Sequence, residues 1–251
     1  MQFCADLHTH TLASGHALST LSEMVAGAKK LNYSALAVTD HAFSTSEWPA
    51  RFYFNNLLSL PDVLEDDFWL LKGVEGSVLD SNGTLDIREK LLPRFDWVIA
   101  SIHSTFVEEL DYAEATRAWL AVAENPYVDM IGHCEQQQFL FDYNLVAKAF
   151  AKNNKVVEIN GASSRVRPNS GENQRQLALC CREHGVHIAV SSDAHSCFGM
   201  DVLQPLAQML HDIEYPEEWI VNTSRERLWK ELKLHKKPFV ERVLFEKEAG
   251  E

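Results

Sequence analysis

Metal-binding side chains follow most of the short apolar segments of this 251-residue chain. Seven of the 11 histidines and two acidic residues occupy such positions. In chain order they are His8, His10, His16, His41, Glu75, His103, His133, Asp193 and His195. Neutral imidazoles and carboxylates are common protein ligands of zinc and related metals. The sequence therefore predicts a metal site, provided that the fold brings these positions together.

His8 and His10 form an HxH motif, and the two-residue period of a strand directs both imidazoles to the same side. The two rings can then bind one ion, and we expect Asp6 to orient one ring from behind. Seven imidazoles with Glu75 and Asp193 exceed what one tetrahedral ion needs, and carboxylates can bridge two ions. We therefore expect a cluster of two or three ions. Imidazole-rich ligation without thiolates favours zinc, with manganese and iron as alternatives.

The apolar pattern predicts which elements position these residues. Runs rich in β-branched residues predict buried strands at 3–7, 35–39, 69–74, 97–102, 128–132, 156–159 and 186–191. Helices are predicted after a hydroxyl cap at 19–23 and at 63–68, 112–124, 144–153, 172–184 and, as the closing element, 224–234. This alternation predicts a single α/β domain over residues 1–251, built on a parallel barrel or a strongly curved sheet.

The spacing of the metal-binding residues agrees with this architecture. The positions that follow the seven predicted strands, 8, 41, 75, 103, 133, 160 and 193, recur every 27 to 34 residues, which is the length of one β/α unit. The carboxyl ends of parallel strands share one face, and active sites are built there. We therefore expect the metal-binding residues to meet on that face.

The composition is that of a globular protein with an acidic balance, 36 acidic against 23 basic residues and a formal net charge of -13. An acidic surface repels phosphate backbones, so we expect a small-molecule partner and no long nucleic acid. The chain has no run of 18 apolar residues, and we expect no membrane partner. The N-terminus lacks the features of a signal peptide, and five cysteines without a CxxC spacing indicate reduced thiols in the cytoplasm. A homo-oligomer is compatible with the sequence.

Other candidates carry weaker signals. Arg165 and Arg167 follow the sixth predicted strand and could clamp an anion, although exposed loop arginines without a ligand are as common. Cys134 is interpreted as a small packed residue, and Trp48 and Phe52 as walls of the pocket or as core residues. The histidines outside the strand ends are interpreted as structural: His184, His187, His211 and His235. The chain contains no GxSxG nucleophile motif.

Taken in order, the motifs resemble those of the PHP (polymerase and histidinol phosphatase) family, in particular its YcdX-like phosphatase branch. They are Asp6-Leu7-His8-Thr9-His10, Thr39-Asp40-His41, Gly73-Val74-Glu75, His103, His133 and Ser192-Asp193-Ala194-His195, with His16 after the first motif. The resemblance spans nearly the whole chain. It implies a distorted (β/α)7 barrel, similar to a TIM barrel, with a trinuclear and usually zinc site at the carboxyl ends of the strands.

The resemblance also implies a role for each ligand. The first ion is expected on His8, His10, Glu75 and Asp193, the second on Glu75, His103 and His133, and the third on His16, His41 and His195. The expected activity is hydrolysis of small phosphomonoesters by a metal-activated water, with Asp193, Glu75 and His195 acting in catalysis. The alternatives are a histidinol-phosphate phosphatase, an amidohydrolase-type hydrolase and a metal-binding protein without activity. Amidohydrolases usually carry a lysine where this chain has His103.

Overall fold

The computed structural model describes residues 1–42, 52–107 and 109–249, apart from the side chains at 247 and 249. Within these residues the strands are β1 (Ala5–Asp6), β2 (Ala35–Val38), β3 (Val63–Leu64), β4 (Phe68–Ser77), β5 (Trp97–Ser101), β6 (Met130–Ile131), β7 (Val156–Asn160) and β8 (Ile188–Ser191). All except β3 form one parallel sheet in the order β1-β2-β4-β5-β6-β7-β8. The seven predicted parallel strands are therefore confirmed.

β4 is the longest strand and pairs with different neighbours along its length. Ala35 of β2 lies opposite Trp69, and the pairing with β5 begins where Gly73 lies opposite Trp97. A Cβ atom at Gly73 would lie 2.7 Å from the carbonyl oxygen of Trp97 and 2.7 Å from the methyl group of Thr39. Glycine is therefore required at 73, because only it lets the flanking chains approach β4 this closely.

The sheet curves until β1 and β8 meet, which makes a nearly closed seven-stranded barrel. At the carboxyl ends of these strands, the backbone N–H of His10 donates to the carbonyl of Ala194 at 2.9 Å. Deeper in the barrel, the side-chain amide of Asn222 donates to Ala5 O at 2.8 Å and to Val190 O at 2.7 Å. The same amide accepts the backbone N–H of Val190 at 3.1 Å. One side chain thus links β1 to β8, in addition to the backbone pairing of Thr9 with Ala194.

Helices cover the outside of this barrel. They are α1 (Leu21–Lys30), α2 (Tyr53–Leu57), α3 (Tyr112–Glu124), α4 (Tyr143–Lys152), α5 (Ser163–Val166), α6 (Ser170–His184), α7 (Gln204–Asp212), α8 (Arg225–Leu234) and α9 (Pro238–Ala249). Thr20 and Glu23 form a capping box that begins α1, and α6 ends at Gly185, whose φ of 71° is left-handed. The helices predicted at 112–124, 144–153 and 172–184 are confirmed to within two residues. No helix in the described part of the chain is long and apolar enough to cross a bilayer.

Two helix predictions are wrong in part. The predicted helix at 63–68 is instead the short strand β3, which pairs antiparallel with the start of β4. The turn between them places Asp66 and Asp67 at φ values of 64° and 54°, which a helix excludes. The helix at 224–234 does not close the chain, because α9 follows it. Arg242 of α9 pairs with Asp62 and Asp96, which anchors α9 to the barrel.

Alternate residues of the strands belong to two different apolar clusters, so the strands are buried on both faces. One cluster joins strand residues such as Leu71, Ile99 and Met130 with Leu228 of α8 and Phe239 of α9. The other joins the residues between them with the remaining helices. α8 and α9 also pair with residues at the amino-terminal ends of the strands. They close that end of the barrel and leave the carboxyl ends for the site.

Candidate metal centre

The structure brings all nine predicted metal-binding residues together at the carboxyl ends of the strands. We call them the nine-residue cluster: His8, His10, His16, His41, Glu75, His103, His133, Asp193 and His195. Each has a nitrogen or oxygen atom within 4 Å of a ligand atom of another member. Eight of them lie in the segments that follow five strands, β1, β2, β5, β6 and β8, and Glu75 lies within β4 itself.

Glu75 lies at the centre of this cluster and is fully buried. Its Oε1 atom lies 3.1 Å from His133 Nε2, 3.3 Å from His103 Nε2 and 3.4 Å from His8 Nε2. Its Oε2 atom lies 2.8 Å from His41 Nδ1. Although burial opposes ionisation, the nearby imidazoles hold the pKa of the Glu75 carboxyl well below its usual range. With His10 Nε2 at 3.5 Å from Oε2, the two oxygens of the carboxylate therefore face five rings.

Asp193 and the two remaining histidines extend the cluster toward solvent. Asp193 Oδ1 lies 3.3 Å from His10 Nε2 and 3.7 Å from His8 Nε2. The Nε2 atoms of His195 and His16 face each other at 2.8 Å, and His16 is exposed. Asp193 has a φ of 55° and His133 a φ of 28°, both in the left-handed region. Such strain at non-glycine residues is concentrated at functional sites.

The donor set fits divalent cations. Nitrogen atoms of two imidazoles face each other in the pair His8 and His10, at 3.1 Å, as they do in His195 and His16. The buried atoms Glu75 Oε2 and His41 Nδ1 face each other at 2.8 Å. Three groups have ligand atoms within 4.8 Å of one another: His8, His10 and Glu75; His41, Glu75 and His103; His10, His41 and His195. Convergent nitrogen and oxygen lone pairs without thiolates are typical of zinc and manganese sites.

Two rings are held in the neutral form that binds metal. Burial and the neighbouring His195 and His41 lower the pKa of His10 well below its usual value. Burial and the charge of Arg167 lower the pKa of His133 to about 4. A metal ligand must be unprotonated, so neither ring has to lose a proton near neutral pH.

Glu158, and not Asp6, orients the ring of His8. His8 Nδ1 lies 2.8 Å from Glu158 Oε1, whereas Asp6 accepts only the backbone N–H groups of His8 and Ser192. The expectation that Asp6 supports a ring is therefore wrong, because its side chain ties the β1 backbone to the chain after β8. Glu158 was missed because it lies inside an apolar strand. A carboxylate in such a strand is itself a signal, since burial is costly without a partner.

Hydroxyl groups orient two further rings. His10 Nδ1 lies 3.0 Å from Ser14 Oγ, which donates to Asp40 at 2.6 Å. Asp40 also accepts the backbone N–H of Thr11 at 2.6 Å and thus holds the loop after β1 without contacting the cluster directly. His103 Nδ1 lies 3.0 Å from Ser77 Oγ. These contacts leave the Nε2 atoms of both rings directed into the cluster.

The structure distinguishes among the candidates that carry weaker sequence signals. Arg167 lies at the cluster, with one terminal nitrogen 3.2 Å from Asp193 Oδ2 and the other 3.0 Å from Ser163 Oγ. Arg165 is exposed and has no hydrogen bond or ion pair to the cluster within the described residues. Cys134 is buried, as predicted, and Phe52 is 62% exposed, so it is not a core residue. Trp48 lies outside the described residues.

A family model for the PHP domain matches residues 6–162, which is more than half of the chain. The chain belongs to the PHP domain family. A relative of this PHP protein from Acetivibrio thermocellus is 38% identical over 227 residues, which cover 90% of this chain and 94% of the relative. Another, from Clostridium botulinum strain Hall, is 37% identical over 233 residues, with 93% and 96% covered. Both are named as probable phosphatases.

Solved structures show a similar fold at low sequence identity. The histidinol phosphate phosphatase of Lactococcus lactis, in complex with zinc, L-histidinol and phosphate, aligns with a TM-score of 0.64 at 16% identity. The alignment covers 86% of this chain and 95% of that one. A chain of an archaeal ribonuclease P structure, containing mature tRNA, aligns with a TM-score of 0.57 at 10% identity, covering 91% and 90%. The fold alone is therefore compatible with more than one function.

Proposed function

We propose that this PHP protein is a metal-dependent phosphatase that hydrolyses small phosphomonoesters. The observation that carries the proposal is the convergence of six imidazoles on two buried carboxylates, Glu75 and Asp193, with the seventh imidazole, that of His16, facing His195. The names of the relatives support the reaction class, and the zinc, L-histidinol and phosphate of the Lactococcus lactis structure support the metal and the substrate class.

The proposed site holds three ions, with zinc as the first candidate and manganese or iron as alternatives. The ligands for each ion are those that the family pattern implies, with Glu75 shared between the first and the second. The convergent group His8, His10 and Glu75 supports the first ion, and the 2.8 Å pair of His16 and His195 supports the third. The other two convergent groups each combine ligands assigned to two neighbouring ions. When bound, such ions supply positive charge for phosphoryl oxygens and lower the pKa of water.

The residues of the chain bind and orient the substrate in this proposal. Arg167 is anchored by Ser163 and Asp193, and its guanidinium can donate to a phosphoryl oxygen at the edge of the cluster. Arg165, being exposed, is assigned at most an outer contact with the anion. The side chain of His195 is 31% exposed, so we place substrate entry on the side of His195 and His16. Glu75 and Asp193 balance the charge of the bound ions.

The remaining proposals concern the setting of the reaction. We propose that residues 1–251 act as one domain, supported by the contacts of Asn222 with β1 and of Arg242 with Asp62. A reducing, cytoplasmic setting is supported by five cysteines that are all free. The formal charge of -13 supports a small phosphate ester as the partner in preference to a long nucleic acid.

Phosphate release from a panel of substrates tests the activity. Metal-analysed protein is assayed with sugar phosphates, nucleotides, histidinol phosphate and a set of amides and lactones. We expect phosphate release that a strong chelator abolishes and that zinc or manganese restores. Histidinol phosphate as the strongly preferred substrate would make the protein a histidinol-phosphate phosphatase. Amide or lactone hydrolysis without any phosphate release would replace the proposal with an amidohydrolase activity.

His16→Ala tests the third ion. With His41 and His195, His16 supplies the three protein ligands of an open zinc site. We expect the variant to lose one of three ions and to lose turnover by about 10- to 100-fold, as metal-supporting residues do. His211→Ala removes an exposed histidine of α7 and is the matched control, with unchanged metal content and turnover. Elemental analysis, circular dichroism and phosphate release on the same samples measure the ion count, the fold and the turnover of both variants. An unchanged ion count in His16→Ala would make the site binuclear.

A further inference from the structure

Glu158 is a buried carboxylate that contacts two members of the nine-residue cluster without being one of them. It lies in the middle of β7 and is fully buried. Its Oε1 atom accepts from His8 Nδ1 at 2.8 Å. Its Oε2 atom accepts the backbone N–H of His133 at 2.7 Å and the side-chain amide of Asn160 at 3.1 Å. Both oxygens are therefore committed to positioning contacts.

The first contact decides which nitrogen of His8 faces the cluster. A neutral imidazole carries one N–H, and the hydrogen bond to Glu158 keeps it on Nδ1. The lone pair then lies on Nε2, which is 3.1 Å from His10 Nε2 and 3.4 Å from Glu75 Oε1. Glu158 thus presents the ring in the tautomer that can bind an ion.

The second contact holds a strained backbone. His133 has a φ of 28°, which a residue with a Cβ atom adopts at a cost. The charge-assisted hydrogen bond from its N–H to Glu158 offsets part of that cost. This conformation brings His133 Nε2 to 3.1 Å from Glu75. The position of the His133 ring therefore depends on β7 as well as on its own strand.

We infer that Glu158 is a positioning residue that couples the His8 side and the His133 side of the metal centre. It fixes the tautomer of one ring and the backbone of the other through a single rigid strand. The inference rests on the proposed metal site, and it assigns to Glu158 no contact with substrate. Removal of the Glu158 carboxylate is expected to weaken metal binding at His8 and at His133 together.

Glu158→Gln tests this inference against Asp6→Asn. Glutamine keeps the shape of the side chain but loses the charge. Its single oxygen can accept from His8 or from the His133 backbone, and its NH₂ group cannot accept from the other. Asp6→Asn is the matched control, because Asp6 is an equally buried carboxylate beside His8 that accepts the backbone N–H groups of His8 and Ser192 and has no hydrogen bond to a ring among the described residues. An asparagine oxygen can still accept both of them, so we expect no change in the His8 ring.

Metal retention under competition with graded chelators, followed by elemental analysis, is the first readout. We expect Glu158→Gln to release metal at about 10- to 100-fold lower chelator strength than the wild type. Asp6→Asn should stay within about threefold of the wild type on the same scale. Circular dichroism of the chelated variants checks the fold. Retention of metal by Glu158→Gln at wild-type strength, or an equal loss in Asp6→Asn, overturns the inference.

The second readout is the tautomer of His8. It is measured in the wild type, so it does not depend on whether a variant folds. In ¹⁵N-labelled, zinc-loaded wild type, we expect the His8 N–H on Nδ1, protected from exchange with water. A His8 proton on Nε2 overturns the inference in the wild type itself. Neither readout depends on turnover. Absence of phosphate release therefore counts against the proposed phosphatase alone, and normal phosphate release with an unaffected Glu158→Gln counts against the role of Glu158 alone.

Discussion

Each end of the barrel gathers histidines, but the two groups differ in whether their imidazole nitrogens also face one another. At the carboxyl ends of the strands, imidazole nitrogens face other imidazole nitrogens, as in His16 and His195 at 2.8 Å. At the amino-terminal ends, each imidazole faces a carboxylate. We call the second group the floor cluster: Asp129, His187, Glu231, His235 and Lys237. The three convergent groups of ligand atoms found among the described residues all belong to the nine-residue cluster.

The floor cluster is a closed network of ion pairs between α8 and the barrel. His187 Nδ1 lies 2.7 Å from Glu231 Oε2, and His235 Nε2 lies 3.0 Å from Glu231 Oε1. His235 Nδ1 lies 3.1 Å from Asp129 Oδ1, and Lys237 lies 2.7 Å from Asp129 Oδ2. Every imidazole here has an anionic partner. The comparison shows that a group of histidines whose nitrogens also face one another indicates a metal site. Histidines whose nitrogens face only carboxylates indicate a structural role.

Glu75→Gln should give the largest effect and should sharpen this contrast. The variant removes a charge that would balance the ions of the proposed site. We expect loss of bound metal and a loss of turnover greater than about 100-fold, the upper end of the effect of residues that merely support a ligand. Glu231→Gln, which also places an amide between two histidines, should keep its metal and lose stability. Elemental analysis, phosphate release and thermal unfolding compare the two. Full metal content and activity in Glu75→Gln would remove Glu75 from the site.

Asp129→Asn should destabilise the fold without affecting metal. Lys237 is 4% exposed, and the variant leaves its ammonium group buried without a countercharge. We expect the free energy of unfolding to fall by about 3 to 5 kcal/mol, as for other broken buried pairs. Urea denaturation of chelated protein measures this change. Elemental analysis of the variant before chelation should find the metal content of the wild type. A loss of metal together with stability would show that the two ends of the barrel are not independent.

The stability of the floor cluster should depend on pH through His235. Although burial opposes protonation, Asp129 and Glu231 raise the pKa of His235 to about 9. The folded protein therefore holds a proton that the unfolded chain releases near pH 6.5. This contribution, about 3 kcal/mol at most, is complete below pH 6.5 and is lost as the pH rises through 9.

Urea denaturation of chelated wild type and His235→Gln between pH 6 and pH 9.5 tests this dependence. The difference in unfolding free energy between the two proteins should shrink as the pH rises. A difference that is constant over this range would mean that His235 is neutral in the folded protein.

His187→Gln should give the smallest effect. The pKa of His187 is raised by its hydrogen bond to Glu231, but 39% of its side chain is exposed. Solvent screens such a pair, so we expect a loss of less than about 1 kcal/mol in the free energy of unfolding. Urea denaturation of His187→Gln and of His235→Gln at the same pH compares the two losses in unfolding free energy. An equal loss in both variants would contradict the ranking by exposure.

The parallel strands and the nine-residue cluster could be predicted because both depend on repetition. Each β/α unit delivers its residues to the same face, so the positions of His41 or His133 follow from strand ends alone. Glu158 could not be predicted in this way, because its partner His8 is 150 residues away in sequence. The hairpin of β3 and the docking of α9 depend on tertiary contacts such as those of Arg242. Local patterns carry no information about such contacts.

The link that Asn222 makes between β1 and β8 affects the order of events during synthesis. The amide that joins β1 to β8 is separated from its partner Ala5 by 217 residues. The first histidines of the site leave the ribosome long before the residue that shuts the barrel around them. Closure is therefore a late and non-local step, of the kind that slows folding. Until the segment that carries Asn222 has been synthesised, the nascent chain lacks the side-chain link between β1 and β8.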